Sequence, residues 1–462
     1  MLNRLEMLFT VCALLFCAGA FVSLTNQGPQ VPDERPQSSV IARVQMQSRN
    51  ESRDPTNANP AMLAVQICIY GVVAFLLLVH RHEALQLALG TKIIWAIVAL
   101  AFVSVLWSAV PGFAFRRCLN MTASSGFGLY LACRYSQRRL LKLLGWAVMV
   151  ALVCSVLIVF ARPDLGIGSA DTDYGWKGIF VQKNTLARFM ALGFFVFLFL
   201  AFDSKRHRYM YSALSILCAC VIYAAHSVTS ALAIPILLGL IWFFSLVRSR
   251  PFWRIFAPAV FAGTGIACAL VLFADPSALF SLVGRDATMS GRLEIWSAVT
   301  PKIMAHPWLG YGYGSFWLGM EGQASADVWS LLRWQVPHSH NGFLDLAEEL
   351  GIVGLGVFLA GFLVSMKRGL TWARSHRTTI GLWPLAFLSF MFLFNLSEGS
   401  ILRQDNIFWV LYIATSVFVI SRTEKLAPEP LQAPIKPIGA PATLGYAPLG
   451  GVGGNTGMQA SK

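Results

Sequence analysis

The stretch HNGFLDLAEELGIVGLGVFLAGFLVSM, residues 340–366, joins a polar loop to a long apolar segment. Its second half carries no charged side chain, which is typical of a helix that crosses a lipid bilayer. His340 and Asn341 stand at the water boundary of this helix, and two glycines, Gly351 and Gly354, lie about one turn apart within it. An imidazole on a closely packed helix predicts a functional group mounted at the membrane surface.

The composition of the whole chain agrees with that prediction. Of the 462 residues, 56% are hydrophobic and only 13% are charged, which is too apolar for an ordinary soluble protein. We therefore expect an all-α integral membrane protein with about twelve transmembrane helices of ~20 residues each. The predicted segments are 7–24, 63–79, 93–109, 118–133, 143–161, 189–202, 209–225, 231–247, 255–274, 350–366, 379–396 and 406–421. Segment 118–133 is the weakest, because it contains several polar residues.

The chain divides into four regions. Residues 1–24 are predicted to form a first transmembrane anchor, although their basic start and small residues also suit a cleaved signal peptide. Residues 25–60 are rich in Gln, Pro and Ser, which predicts a flexible outside loop. Residues 61–422 form a polytopic membrane domain with one large outside loop at 275–349. Residues 423–462, rich in Pro and Gly, are predicted to be a disordered cytoplasmic tail.

Basic residues predict the orientation. The loop 275–349 carries only Arg285, Arg292, Lys302 and Arg333, whereas the short loops of the other face are dense in Lys and Arg. Positive charge is retained on the cytoplasmic side, so both termini are expected there. The net charge of +14 then faces anionic membrane lipids and requires no nucleic acid. The nine cysteines lie in or beside apolar segments and predict neither a disulfide framework nor a metal site.

The large loop has the composition of a folded unit. Residues 290–305 place apolar side chains at helical spacing, which predicts a helix on the membrane surface. Residues 306–318 are rich in glycine and aromatic side chains and are expected to form turns. The loop ends on Pro337-His338-Ser339-His340-Asn341.

Together these motifs resemble the bacterial O-antigen ligase and O-antigen polymerase superfamily. Its pattern of His, a polar residue, nine residues, Gly, two residues and a further Gly matches His340, Asn341, Gly351 and Gly354. The companion pattern of Arg, three residues and Leu matches 188–192. Two further runs, Gly291-Arg292-Leu293-Glu294-Ile295-Trp296 and Asn395-Leu396-Ser397-Glu398, resemble the exopolysaccharide polymerase branch. The resemblance covers roughly residues 100 to 421.

The resemblance implies a membrane glycosyltransferase of the bacterial inner membrane with its active loop in the periplasm. Such enzymes take a glycan from an undecaprenyl diphosphate carrier and attach it to a hydroxyl of an acceptor, which is either another glycan or the lipid A core. The expected partners are therefore the donor, the acceptor and membrane lipids, with other polysaccharide assembly and export proteins, and no nucleic acid.

This chemistry assigns roles to individual residues. His340 suits a base that activates the acceptor hydroxyl, with His338 as a supporting contact. Arg188 and Arg292 suit the diphosphate, because a guanidinium grips phosphate oxygens in a bidentate manner. The further candidates for substrate binding are Lys183, Asn184, Asn341, Arg403 and the sugar-stacking Trp296 and Trp317.

Structural roles are the alternative for each of these residues. Arg188 also suits an arginine that extends to the membrane surface from a helix end, and Arg292 suits a solvated helix face. His338 and His340 also suit a metal pair, yet the sequence shows no third ligand nearby. The Asp171-Thr172-Asp173 run suits a metal-dependent nucleotide-sugar enzyme, but its loop is predicted to lie outside. We expect neither a metal nor another cofactor.

The sequence leaves two questions about the function open. A polymerase and a ligase share the donor chemistry and differ in the acceptor, and the two exopolysaccharide-like runs favour the polymerase. A polytopic lipid-glycan transporter is the alternative of another class. Transporters place charged residues near the middle of the bilayer, whereas here the charged candidates cluster at its outer boundary.

Overall fold

The structure, a computed structural model, describes residues 2–21, 60–168, 174–249 and 291–424. Within these ranges the chain is helical, and the one β pairing is an isolated antiparallel bridge between Ile167 and Trp176. The all-α prediction is confirmed. The helices are α1 (Leu2–Cys17), α2 (Pro60–Val79), α3 (Arg81–Gly90), α4 (Lys92–Val103), α5 (Pro111–Arg134), α6 (Gln137–Ala161), α7 (Lys183–Asp203), α8 (Arg208–Ala224), α9 (Val228–Ser249), α10 (Arg292–Ala305), α11 (Gln323–Leu332), α12 (Gly342–Ser375), α13 (Trp383–Asn395) and α14 (Ile407–Glu424).

Some predicted features lie outside the described residues. They are the loop 25–60 except Pro60, the motif Asp171–Asp173, the segment 255–274, the loop portion 275–290, and the tail 423–462 except its first two residues. Each of the other predicted apolar segments overlaps a described helix.

Five of the described helices are long and apolar enough to cross a membrane, namely α2, α6, α7, α9 and α12. Helix α3 and the stretch Lys92–Trp107 meet at a bend of 89° and add a sixth if the pair counts as one span. Three shorter apolar helices cover Arg208–Ala224, Thr379–Asn395 and Ile407–Thr423. The figure of twelve spans therefore stays a prediction.

Helix α14 runs through the interior of the bundle, and every residue from 407 to 421 is buried. Its close neighbour is α5, where a Cβ added at Gly128 would lie 2.6 Å from the carbonyl oxygen of Val410. The indole of Trp409 donates a 2.9 Å hydrogen bond to Ser125 Oγ. Ser125 is one of the polar residues that weaken the prediction of a membrane span at 118–133. Its hydrogen-bond partner lies inside the protein.

Helices α7 and α8 form an antiparallel hairpin. Ser215 Oγ on α8 donates to the carbonyl oxygen of Phe194 on α7 at 3.0 Å. After α8, Ser227 Oγ donates to Asn184 Oδ1 at 3.2 Å, so the end of α8 returns to the start of α7. Arg188 lies near this start, with its guanidinium 4.6 Å from the ring centre of Phe408 on α14.

The described part of the large loop has a small apolar core of its own, formed by Ile295, Ala298, Val299, Phe316, Ala324, Val328, Trp329 and Val336. Helix α10 confirms the predicted helix at 290–305. Residues 306–318 are turn-rich, as predicted, with left-handed glycines at Gly310, Gly312 and Gly314.

This unit docks onto a break in α12. Gly351 has φ 63° and ψ −165°, and a Cβ there would lie 2.3 Å from the carbonyl carbon of Trp308. The backbone around the break pairs with the docked segment, since Tyr311 N–H donates to Glu348 O at 2.9 Å and Ile352 N–H to Pro307 O at 2.8 Å. Glycine at 351 is required by both its conformation and this close approach.

Candidate functional site

The loop that carries the two histidines is fixed by buried hydrogen bonds. Ser339, between them, is fully buried. Its N–H donates to Asp345 Oδ1 at 2.9 Å, its hydroxyl donates to Glu348, and its carbonyl accepts a 2.9 Å bond from the indole of Trp296. The two acidic residues, one turn apart on α12, therefore hold the loop from one side and α10 holds it from the other.

His340 adopts an uncommon left-handed backbone conformation, with φ 50°. This places its ring 4.1 Å from that of His338, centre to centre. The backbone N–H of His340 donates to His338 Nδ1 at 3.0 Å, so a neutral His338 carries its proton on Nε2. Desolvation, with the positive charges of Arg403 and His340, lowers the pKa of His338 well below its usual range.

Glu398, in the connection between α13 and α14, bridges two of the predicted catalytic residues. Its Oε1 lies 3.1 Å from Arg292 Nη2, and its Oε2 lies 3.5 Å from His340 Nδ1. Desolvation opposes ionisation, but the contact with His340 and the charges of His338 and Arg188 prevail and lower the pKa of Glu398 below its usual range. An ionised carboxylate thus joins α10, the histidine loop and the 396–406 loop.

Arg188 approaches the same carboxylate from α7. The residue is only 9% exposed, and its charge interacts with Glu398 and with Arg403. Among the described residues, neither Nε nor Nη1 of this guanidinium has a hydrogen-bond partner. The structure therefore places Arg188 inside the protein, where an unpaired cationic donor is costly.

Arg403 is exposed and donates to the carbonyl oxygen of Gly399 at 3.4 Å. Its charge acts on both His338 and Arg188. Two other predicted substrate-binding residues are bound elsewhere, because Lys183 Nζ donates to the carbonyl of Tyr174 at 2.9 Å and Asn184 accepts from Ser227. They lie one to two turns before Arg188 on α7.

Three predicted contacts have structural bonds of their own. Asn341 caps α12, since its Oδ1 accepts from the N–H of Phe343 at 3.0 Å and of Leu344 at 3.3 Å. The indole N–H of Trp317 donates to Glu348 Oε2 at 2.6 Å, and that of Trp296 donates to Ser339. The rings of both tryptophans are partly exposed, so sugar stacking on them stays a prediction.

Glu398 is the central residue that the sequence analysis did not assign. It supplies the third ligand that a His338–His340 metal pair lacks in the sequence, because the three ligand atoms lie within 4.8 Å of one another. However, one carboxylate oxygen already bonds Arg292, and Arg188 and Arg403 add positive charge nearby. Such a charge balance suits an anion better than a metal cation. The sequence signal for Glu398 was its place at the end of the Asn395-Leu396-Ser397-Glu398 run, which resembles the exopolysaccharide polymerase branch.

Close packing joins the end of α13 and the 396–406 loop to the first turn of α12, which directly follows the loop of the two histidines. A Cβ at Gly342 would lie 2.1 Å from Asn395 Oδ1, and a Cβ at Gly399 would lie 2.1 Å from Asp345 Oδ2. The Asn395 side chain is held by hydrogen bonds at both of its polar atoms. Nδ2 donates to Met391 O at 2.7 Å, and Oδ1 accepts from Ser400 N–H at 2.9 Å. Two glycines therefore set the distance between Glu398 and His340.

Comparison with known proteins finds similar sequences. A family model described as O-antigen ligase matches residues 213–359, which include Arg292 and His340. The exopolysaccharide production protein ExoQ of Rhizobium meliloti (strain 1021) is 24% identical over 339 residues, covering 70% of this chain and 76% of that protein. These two matches support the O-antigen ligase and polymerase-like family for this chain.

The other matches either cover less of this chain or are less similar in sequence. A putative polysaccharide ligase of Rickettsia prowazekii (strain Madrid E) is 28% identical over 124 residues, which are 26% of this chain and 31% of that protein. A chain from a solved peptidoglycan synthase complex is 18% identical and covers 72% of this chain and 97% of its own length, with a TM-score of 0.37. That score is too low to indicate a shared fold. The relatives of the O-antigen ligase and polymerase-like family support a polysaccharide polymerase or ligase type of role.

Proposed function

We propose that this protein transfers a glycan from an undecaprenyl diphosphate carrier to a sugar hydroxyl at the periplasmic face of the bacterial inner membrane, and that it polymerises exopolysaccharide or O-antigen repeat units. The observation that carries the proposal is the convergence of Arg188, Arg292 and His340 on Glu398. The first two residues supply positive charge, and the third supplies a proton acceptor. These are the two needs of a transfer from a diphosphate carrier.

The donor diphosphate binds to the arginines in this proposal. Within the described residues, Nε and Nη1 of Arg188 have no hydrogen-bond partner, and Arg292 shares the Glu398 carboxylate with His340. A guanidinium pairs well with phosphate oxygens, and a buried site strengthens that attraction because water is excluded. When the bond between the anomeric carbon and the phosphate oxygen breaks, its electron pair stays on the diphosphate, whose added charge the arginines stabilise.

The acceptor hydroxyl is activated by His340. Its oxygen forms the new bond to the anomeric carbon, and its proton passes to the imidazole. A positioned general base of this kind contributes about 10²–10⁴-fold to a rate. Trp296 and Trp317 present partly exposed ring faces near the histidine loop, which suit the stacking of donor or acceptor sugars.

A ligase is the second candidate, and it rests on the family description as O-antigen ligase and on the Rickettsia relative. In this version the same site passes the glycan to the lipid A core. The similarity to ExoQ extends over more of the chain and favours the polymerase, with other polysaccharide assembly and export proteins as partners.

A deletion strain separates the candidates through its lipid-linked products. Loss of a polymerase leaves single repeat units on the carrier, whereas loss of a ligase strands full-length chains on it. Both products are resolved by mass spectrometry of extracted lipids. An unchanged lipid-linked pool and normal surface glycan in the deletion strain would contradict both versions.

A further inference from the structure

The carboxylate of Glu398 is shared unequally between its two partners. The 3.1 Å distance to Arg292 Nη2 is a hydrogen bond, whereas the 3.5 Å distance to His340 Nδ1 is longer than a normal one. Nδ1 of His340 is buried and has no hydrogen-bond partner among the described residues. The carboxylate is therefore hydrogen-bonded to Arg292. Nδ1 of the His340 imidazole that faces it has no hydrogen bond within the described residues.

Three arginines lie around this carboxylate. Arg188 and Arg403 act on the same small region as Arg292, and the acidic groups nearby are Glu398 itself and, on α12, Asp345, Glu348 and Glu349. Within the described part of the chain, two buried donors of Arg188 have no hydrogen-bond partner. Buried polar groups normally find partners, so this guanidinium indicates an anion larger than one carboxylate. A diphosphate carries more charge and more acceptor atoms than Glu398 does.

We propose that Glu398 is an internal counter-anion that holds Arg292 while the donor is absent, and that the donor's diphosphate displaces it from Arg292 so that it pairs with His340. The inference rests on the proposed function, because it names a positioning residue for the same transfer. A movement of about 0.6–0.8 Å brings the 3.5 Å contact with His340 to the length of a charge-assisted hydrogen bond.

The displaced carboxylate would fix which ring nitrogen of His340 carries the proton. When Glu398 accepts a hydrogen bond from Nδ1–H of His340, the lone pair of a neutral ring is on Nε2. Nε2 is then the atom that takes the proton of the acceptor hydroxyl. The carboxylate also stabilises the positive ring that results, as outer carboxylates do for histidines elsewhere. Donor binding thereby orients the base, which favours transfer to the acceptor only after the diphosphate is in place.

The groups that face His340 come from several elements. They are His338 in its own loop, Asp345 on α12, Glu398 and Arg403 in the 396–406 loop, Arg292 at the start of α10, and Arg188 on α7. Glu398 is the negatively charged group among them whose carboxylate lies against the imidazole. Its removal should therefore change the pH dependence of the reaction.

The test is Glu398→Gln in the full-length protein, purified in nanodiscs. Inorganic pyrophosphate, used as a probe of the anion site, should bind about three- to tenfold more tightly, because the competing charge on Arg292 is gone. The turnover number for glycan transfer should fall by about 10- to 100-fold, because the imidazole has lost its orienting partner. The acid limb of the pH profile should move to lower pH, because a positive ring without a neighbouring carboxylate gives up its proton more readily.

Two further variants complete the design. Glu398→Asp keeps the charge and should restore the acid limb towards its original pH, even where the shorter side chain keeps turnover low. Glu321→Gln changes an exposed carboxylate in the segment between α10 and α11 and should alter neither pyrophosphate affinity nor the pH profile. If Glu398→Gln is poorly folded, Glu398→Asp still tests the inference, because the shorter reach should weaken the hold on Arg292 and tighten pyrophosphate binding.

A purely structural Glu398 predicts a different result. Pyrophosphate affinity and turnover would then fall together in Glu398→Gln, with no movement of the acid limb, and that outcome overturns the inference. Failure of the proposed function is distinguishable from this, because it requires His340→Ala and Arg188→Gln to retain full transfer activity. If those two variants are inactive while Glu398→Gln matches the wild type, only the role of Glu398 is wrong.

Discussion

The 396–406 loop carries two acidic residues, Glu398 and Asp405, in environments that differ in one respect. Asp405 accepts hydrogen bonds from Gln66 at 2.8 Å and from the hydroxyl of Tyr70, and its N–H donates to Ser124 at 3.0 Å. The bonds around Asp405 are made by neutral groups of α2 and α5. Glu398, in contrast, lies among Arg188, Arg292 and His340. In the described part of the chain, Arg188 and His340 each have buried nitrogen atoms without a hydrogen-bond partner.

This difference separates residues that stabilise the structure from residues that act in glycan transfer. The Asp405 cluster (Gln66, Tyr70, Ser124 and Asp405) ties the loop to the bundle through hydrogen bonds, so it contributes to stability. Within the described residues, the buried atom of this cluster that lacks a partner is the uncharged Gln66 Oε1. In the Glu398 cluster (Arg188, Arg292, His340 and Glu398), the buried atoms without a partner among the described residues belong to a guanidinium and an imidazole, and such ionisable groups are retained where a ligand completes them. Variants of the first cluster should act on stability, and variants of the second should act on transfer.

The largest effect is expected for His340→Ala. Loss of the base should reduce glycan transfer by about 10²–10⁴-fold, while the thermal unfolding midpoint in detergent stays near that of the wild type. The measurement is the length distribution of the polymer in a complemented deletion strain, with the amount of membrane-inserted protein checked by immunoblot. Polymer of normal length would refute the assignment of His340 as the base.

Arg188→Gln tests the unpaired guanidinium. The variant should bind the lipid-linked donor about 10- to 100-fold more weakly, since a charged hydrogen-bonding partner of a phosphate is lost. Its stability should change by no more than ~1 kcal/mol, because the lost contact with Phe408 is offset by removal of an unpaired buried cation. Donor titrations and thermal unfolding give the two quantities separately. A variant that is strongly destabilised but retains donor affinity would place Arg188 among the support residues.

The break in α12 belongs to the support residues and offers a matched pair of glycines. Gly351→Ala forces a side chain into a left-handed conformation and against Trp308, so the unfolding free energy should fall by about 1–3 kcal/mol. Gly356→Ala, on the same helix, meets no atom within 4 Å and should be neutral or slightly stabilising. Thermal unfolding of the two variants in the same detergent checks this. Equal midpoints would contradict the proposed docking of residues 306–312 on the break.

Asp405→Asn should lower stability and spare the chemistry. One of the two acceptor bonds weakens and the charge is lost, so the expected cost is about 1–3 kcal/mol. Transfer activity per folded molecule should remain within about twofold of the wild type, because neighbouring bonds from α5 still hold the loop. A large loss of turnover in well-folded protein would erase the distinction between the two clusters.

The sequence predicted the scaffold of this site better than its contacts. Uncharged apolar runs identify helices such as α12 and α14 because their pattern is local. The helix at the start of the described loop, α10, also follows from local spacing. In contrast, an arginine near a helix end has the same local pattern whether it extends to the surface or is buried. The pairing of Arg292 with Glu398 joins residues 106 positions apart. Its geometry depends on Gly342 at the start of α12 and on Gly399 in the 396–406 loop.

The smallest expected effect concerns acid stability and the carboxylate of Glu398. The pKa of Glu398 is lower in the folded protein than in the unfolded chain, so its stabilising contribution is complete above the ordinary pKa of a glutamate, about 4.3. That contribution is lost as the pH falls below this value towards the lower folded pKa. Thermal unfolding midpoints between about pH 3 and pH 6 should therefore depend less on pH in Glu398→Gln than in the wild type, whereas Glu321→Gln should follow the wild-type curve. Parallel curves for all three proteins would mean that the positive groups around Glu398 do not stabilise its ionised form.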